Sequence, residues 1–250
     1  VEVVKHLSLI REVERKLEKL LIECPPDVLV LIDYPGFNLR FAKKARQHDI
    51  RILYYISPQV WAWHKSRVKK MKLLVDRMKV VFPFEVDLYK KEGINVEFVG
   101  HPLAESLQST MTRGEFCTAI GLDPDRKILG LLPGSRKQEI DKIFPTMLEA
   151  GAELGRKDNI QAAVGVASNL GVGELKRFVP DNSSVVLVEN RTHELMCHAD
   201  AAIVTSGTAT LETGWFATPL IIVYKASSLS FFIGRMVVDI SNIGLVNIVA

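Results

Sequence analysis

Apolar positions at the start of the chain recur at helical spacing. Val3, Val4, Leu7, Ile10, Val13, Leu17, Leu20 and Leu21 fall on one stripe, which predicts an amphipathic helix over residues 3–22. Pro25-Pro26-Asp27 ends it, since proline lacks the N–H that a helix needs. The period then changes. Val28–Ile32 is a continuous apolar run, the pattern of a strand covered on both faces. Asp33 stands at its carboxyl end, Tyr34-Pro35-Gly36 turns the chain, and a helix is predicted over 37–47. Strands over 50–56, 78–82 and 96–99 follow, alternating with helices over 65–74 and 84–92, and the series closes on Gly100-His101-Pro102.

Polar residues with Gly121 and Pro124 interrupt the pattern over 103–125, which reads as a linker. A second alternating series then begins: strands over 127–132, 160–166, 185–188, 201–205 and 220–224, with a helix over 139–154 after the first. Short strands alternating with helices mean βαβ units and parallel sheets. The expected fold class is therefore α/β, with two Rossmann-like domains, 1–102 and 126–250, facing a cleft. Ligands in such sheets bind at the carboxyl ends of the strands.

Composition adds bounds rather than identity. With 48% hydrophobic and 24% charged residues, the 250-residue chain is an ordinary globular sequence with room for two modest domains. A net charge of +3 is too small to argue for nucleic acid. Cys24, Cys117 and Cys197 are scattered, with no CxxC pair, which predicts neither a zinc site nor a disulfide framework. No apolar run approaches the ~20 residues of a membrane span. Val1, within a helical pattern, and the apolar end Asn247-Ile248-Val249-Ala250 both read as cuts, so the chain is expected to be a fragment.

Four candidate signals sit after predicted strands. Pro133-Gly134-Ser135-Arg136 combines a glycine, which lets backbone approach an anion, with a guanidinium matched to phosphate. Ser206-Gly207-Thr208 opens a predicted helix whose free N–H groups favour an anion, and Glu212 follows Thr208 by one turn, within reach of a ribose. Two phosphate-directed loops in one domain point to a nucleotide diphosphate held without metal. Asp33 is a candidate general base, with capping of the next turn as its structural alternative. Trp61 and Trp63 precede a basic segment containing Lys69 and Lys70, a pattern suited to an anionic membrane surface or to a solvated helix face. Asp123-Pro124-Asp125 precedes its strand and reads as a turn, and His193, Cys197 and His198 read as structural residues of a short helix.

These stretches resemble one family, the lipid-A-disaccharide synthases. The resemblance is carried by Ile32-Asp33-Tyr34-Pro35-Gly36-Phe37-Asn38, Ser57-Pro58-Gln59-Val60-Trp61-Ala62-Trp63, Phe98-Val99-Gly100-His101-Pro102, Leu131-Leu132-Pro133-Gly134-Ser135-Arg136, the segment 206–212 and Asn247-Ile248-Val249-Ala250. It implies a GT-B fold and transfer of a diacylated glucosamine from its UDP donor to diacylglucosamine 1-phosphate, with inversion and no cofactor. It also implies that Asp33 and Arg136 are essential and that Asn247 lies near the nucleotide. Gly134, Ser135, Ser206, Gly207, Thr208 and Glu212 would then hold the UDP, with His101, Trp61, Trp63, Lys69 and Lys70 on the acceptor and membrane side. The implied partners are the two lipid substrates, an anionic membrane surface on the cytoplasmic side of the inner membrane and, for the complete protein, a second copy. The family's opening strand and Gly-Glu-x-Ser-Gly-Asp loop have no counterpart here, nor has its C-terminal segment. Some members also carry Asp at the position of Gly36. A GT-B enzyme acting on a soluble sugar nucleotide, such as a UDP-GlcNAc 2-epimerase, and a nucleotide-binding remnant without turnover are the alternatives.

Overall fold

The computed structural model describes residues 7–58, 60, 67–225 and 247. The chain divides into two compact units between Pro102 and Leu103.

In the first unit, helix α1 (Leu7–Glu23) precedes strand β1 (Val28–Ile32), and helices α2 (Pro35–Gln47), α3 (Arg67–Leu74) and α4 (Glu85–Lys91) alternate with strands β2 (Arg51–Tyr55), β3 (Arg77–Val80) and β4 (Val96–Phe98). All pairings are parallel and the strand order is β1-β2-β3-β4, the order in the chain. Right-handed crossovers that always step in one direction lay every connecting helix on the same face of a sheet. One core results: Leu31, Ile52, Tyr54, Met78 and Val80 from the strands meet Phe41, Ala42, Ala45, Val68, Met71, Leu74 and Tyr89 from the helices.

This corrects the expectation for β1. A continuous apolar run predicts cover on both faces, yet among the described strands β1 lies at the edge of the sheet. Val28, Val30 and Ile32 are 47%, 49% and 56% exposed, while Leu31 points into the core.

The second unit holds β5 (Ile128–Leu132), β6 (Gln161–Gly165), β7 (Val186–Val188), β8 (Ala201–Thr205) and β9 (Leu220–Val223), again all parallel, in the order β7-β6-β5-β8-β9. The chain builds from β5 to one side, returns, and builds to the other, so helices cover both faces. Every residue of β5 is buried. Ile128 and Leu132 join one core with Ala163, Val188 and Val204, whereas Leu129 and Leu131 join another with Ala162 and Val164. The long helix over Lys137–Asp158 contributes Ile140, Ile143, Phe144, Met147 and Leu148 to the latter and carries Pro145 in its interior.

Residues 103–125, expected as a linker, belong to this second unit. They form α5 (Leu103–Ser106) and α6 (Arg113–Ile120), which make the long helix α7, followed by α8 (Val172–Lys176), α9 (Thr192–His198) and α10 (Thr208–Trp215). Thr112 and Glu115 form a reciprocal capping box at the start of α6, and Phe116, Cys117 and Leu122 pack into the core beside β5. The polar surface of α6 masks Phe116 and Cys117 from a reading by pattern, as the turn after it masks Leu122. No described helix is long and apolar enough to cross a membrane.

Candidate functional site

In the second unit the strand order reverses between β5 and β8, which are adjacent and parallel. Loops leaving the carboxyl ends of two strands at such a reversal diverge and leave a crevice, where ligands of open α/β sheets bind. The loops there are Pro133-Gly134-Ser135-Arg136, after β5, and Ser206-Gly207-Thr208, after β8. The fold thus brings Gly134, Ser135, Arg136, Ser206, Gly207, Thr208 and Glu212 to one end of one sheet.

Gly134 has φ +94°, a left-handed conformation that side chains resist. A Cβ there would come within 3.3 Å of a Glu139 carboxylate oxygen and 3.6 Å of Thr205 Cγ2. Asn169 Nδ2 donates to the Ser135 carbonyl at 3.1 Å, fixing the loop from the segment that follows β6. Arg136 is largely exposed, and its guanidinium donates to Glu139 Oε1 at 2.7 Å. Glu139, in the first turn of α7, supplies the negative charge that a helix N-terminus favours and holds Arg136 at the loop. Thr205, which ends β8 beside Gly134, is 2% exposed, and its Oγ1 has no hydrogen-bond partner.

Across the turn, α10 opens at Thr208, so its first N–H groups have no intrahelical partner. Thr210 Oγ1 returns to the Gly207 carbonyl at 2.8 Å and tightens this end. Glu212, one turn on, lies 4.0 Å from His193 Nε2 of α9. Burial pushes its carboxyl above the ordinary value, and His193 opposes that shift. His193 therefore faces a candidate site residue, a relation that its isolated place in the sequence gave no means of seeing. His198, on the same helix, hydrogen-bonds with the Met111 carbonyl at 2.8 Å and holds the chain entering α6, a structural use. Asp123-Pro124-Asp125 is a turn in which the Asp125 N–H donates to Asp123 Oδ1 at 3.0 Å. Asn247 is exposed and helical.

The first unit carries Asp33 and His101 just after its strands β1 and β4. Asp33 is exposed and left-handed, with φ +46°. Its N–H continues the ladder to the Tyr55 carbonyl at 3.0 Å, and its own carbonyl accepts from Asn38 Nδ2 and Tyr54 Oη, both at 2.6 Å. The sequence alone does not mark Asn38 and Tyr54 as functional residues. The available signal was a polar residue in the first turn of α2 on the face that α2 buries. His101 follows β4, packs its ring 5.5 Å from that of Phe82, and is held below the ordinary imidazole value by burial. Lys69 and Lys70 are exposed on α3, whose buried positions are Val68, Met71 and Leu74. Trp61 and Trp63 lie outside the described residues.

Solved structures with similar folds include the S. aureus MnaA-UDP co-structure, with TM-score 0.65, 13% identity, and cover of 96% of this chain and 70% of that one. UDP-GlcNAc 2-epimerase from Neisseria meningitidis, bound to UDP-GlcNAc, has TM-score 0.62 at 13% identity, covering 96% and 71%. At that identity the likeness speaks for the α/β fold alone. Closer in sequence are the lipid-A-disaccharide synthases of Trichlorobacter lovleyi, Geobacter sulfurreducens and Coxiella burnetii, 46%, 44% and 41% identical over 100% of this chain. The chain spans 66% of the length of each of these relatives. The family model for lipid-A-disaccharide synthetase matches residues 1–250. The chain belongs to the lipid-A-disaccharide synthetase family.

Proposed function

We propose that the protein transfers 2,3-diacylglucosamine from its UDP donor to the 6-hydroxyl of 2,3-diacylglucosamine 1-phosphate, with inversion, forming lipid A disaccharide 1-phosphate and UDP. The observation that carries this is the pair of anion-directed loops on β5 and β8, at the reversal of the second sheet. Backbone N–H groups at the start of α10 and the Gly134-Ser135-Arg136 loop take the diphosphate, Glu212 accepts from the ribose hydroxyls, and Asn247 lies beside the nucleotide. Asp33 takes the proton from the 6-hydroxyl as that oxygen attacks the anomeric carbon opposite the UDP. The C–O bond to UDP breaks with its electron pair, and Arg136 meets the charge that develops on the departing phosphate. The step needs no metal or other cofactor. His101, Trp61 and Trp63 belong to the acceptor side, and Lys69 and Lys70 face anionic lipid at the cytoplasmic side of the inner membrane. The complete protein works as a homodimer, with no role for nucleic acid.

Two variants of the complete protein test this. Arg136→Ala should weaken UDP binding by ~2–3 kcal/mol, the scale of a charge-assisted contact, as measured by calorimetry. Asp33→Asn should leave UDP affinity near the parent value and lower radiolabelled disaccharide formation by roughly 10²–10⁴-fold, the contribution of a general base. Parent-like values for both, with folding intact, would overturn the assignment.

A further inference from the structure

Asp33 lies in a turn that its own backbone does not favour. Asp33 and Tyr34 have φ of +46° and +37°, both left-handed and neither glycine. For L-residues that conformation is strained, because Cβ crowds the following carbonyl oxygen. The pair reverses the chain at the end of β1 and delivers Pro35 to the first position of α2, where its fixed φ suits a helix. Return of either residue to an ordinary conformation would re-aim the Asp33 Cα–Cβ bond, because side-chain direction follows φ and ψ.

Two buried side chains, reaching in from different elements, oppose that relaxation. Asn38, in α2, donates from Nδ2 to the Ile32 carbonyl at 2.9 Å and to the Asp33 carbonyl at 2.6 Å. Tyr54, in β2, donates its hydroxyl to the same Asp33 carbonyl at 2.6 Å. Asn38 is 9% exposed and Tyr54 is fully buried, so water offers little alternative to either donor. Abandoning the turn would cost Tyr54 its bond to the Asp33 carbonyl and Asn38 one of its two carbonyl bonds, and the loss of buried hydrogen bonds opposes relief of the backbone strain. Burial and the neighbouring Asp33 charge raise the Tyr54 phenol well above its ordinary value, with Asn38 acting the other way, so the hydroxyl stays a donor.

We infer that Asn38 and Tyr54 are positioning residues for Asp33: they bracket its backbone carbonyl and thereby set where its carboxylate points. The role rests on the assignment of Asp33 as proton acceptor. Neither residue touches the reacting atoms; each acts through the turn.

A double-mutant cycle in the complete protein tests the inference. Tyr54→Phe removes one oxygen and keeps the ring in the core. It should lower kcat roughly 10–100-fold, the scale of a small misplacement of a reacting group, with KM for the donor within about 2-fold of the parent. In an Asp33→Asn background the same change should lower turnover no further, because the group it positions is already disabled. Asn38→Ala should repeat both results; where that variant does not fold, Tyr54→Phe decides alone. Equal loss of turnover in both backgrounds, or a lowered Tm with parent-like kcat, would assign the bracket to stability and overturn the inference while leaving Asp33 as the base. Near-normal turnover of Asp33→Asn by itself overturns the base assignment, and the positioning role with it.

Discussion

At the scale of single residues, the Arg136 guanidinium is held by Glu139 at 2.7 Å and the Asp33 carbonyl by Asn38 and Tyr54, both at 2.6 Å. Asp33, Arg136 and Gly134 stand out because carboxylate, guanidinium and glycine have few uses directly after a short apolar run. Asn38, Tyr54, His193 and Glu139 do not, since each acquires meaning only from a partner placed by the fold. Gly165 belongs with them. It ends β6 without unusual backbone, yet a Cβ there would lie 2.7 Å from Leu132 Cδ2 and 2.8 Å from Thr192 Cγ2. Leu132 is buried, and Thr192 is tied by its hydroxyl to the Val166 carbonyl at 3.1 Å, so neither can step aside cheaply. Gly165→Ala should therefore cost about 1–3 kcal/mol, the usual range for overpacking, read as a lower Tm or an earlier denaturant midpoint. An unchanged midpoint would mean that the strand end and α9 can part without loss.

At the scale of elements, the periodicities located the strands well because a parallel strand is short, apolar and bounded by turns. They failed over 103–125, where the segment is secured by polar groups rather than by a long apolar stripe. Glu194 of α9 shows how. Although 7% exposed, it accepts from the Ser109 hydroxyl, from the Thr110 N–H at 2.9 Å and from the Thr110 hydroxyl at 3.1 Å, with His198 Nε2 3.6 Å away. Burial works against its charge, but the bonds from Ser109 and Thr110, aided by His198, outweigh it and hold the carboxyl below its ordinary 4.5. A depressed folded value means that the ionised form favours the fold. The contribution is complete above the unfolded value and is lost as pH falls through the folded one. Glu194→Gln should cost ~1–3 kcal/mol near pH 7, and the gap between parent and variant should close as pH drops below 4.5. Denaturation series at both ends of that range check it; a gap independent of pH would remove the role of charge.

At the scale of the whole molecule, both series are α/β and both sheets are parallel, as their alternation implied. What no alternation conveys is strand order, and here order decides how much apolar surface each sheet conceals. Stepping out from β5 in both directions lets the second unit bury all of that strand. Stepping one way only lays the described helices of the first unit on a single face of its sheet and, among the described residues, leaves β1 at the edge, presenting Val28, Val30 and Ile32. That is a colloidal liability. A strand edge flanked by alternate exposed β-branched residues is a template for another strand. The 250-residue polypeptide, prepared as it stands, should associate as its concentration rises, the more so in sulfate, which strengthens apolar burial. Val30→Lys should keep it dispersed, as light scattering would register. A parent that scatters as a monomer throughout the series would show that the edge is harmless. Otherwise, preparing this polypeptide in concentrated solution comes down to the outward face of one five-residue strand.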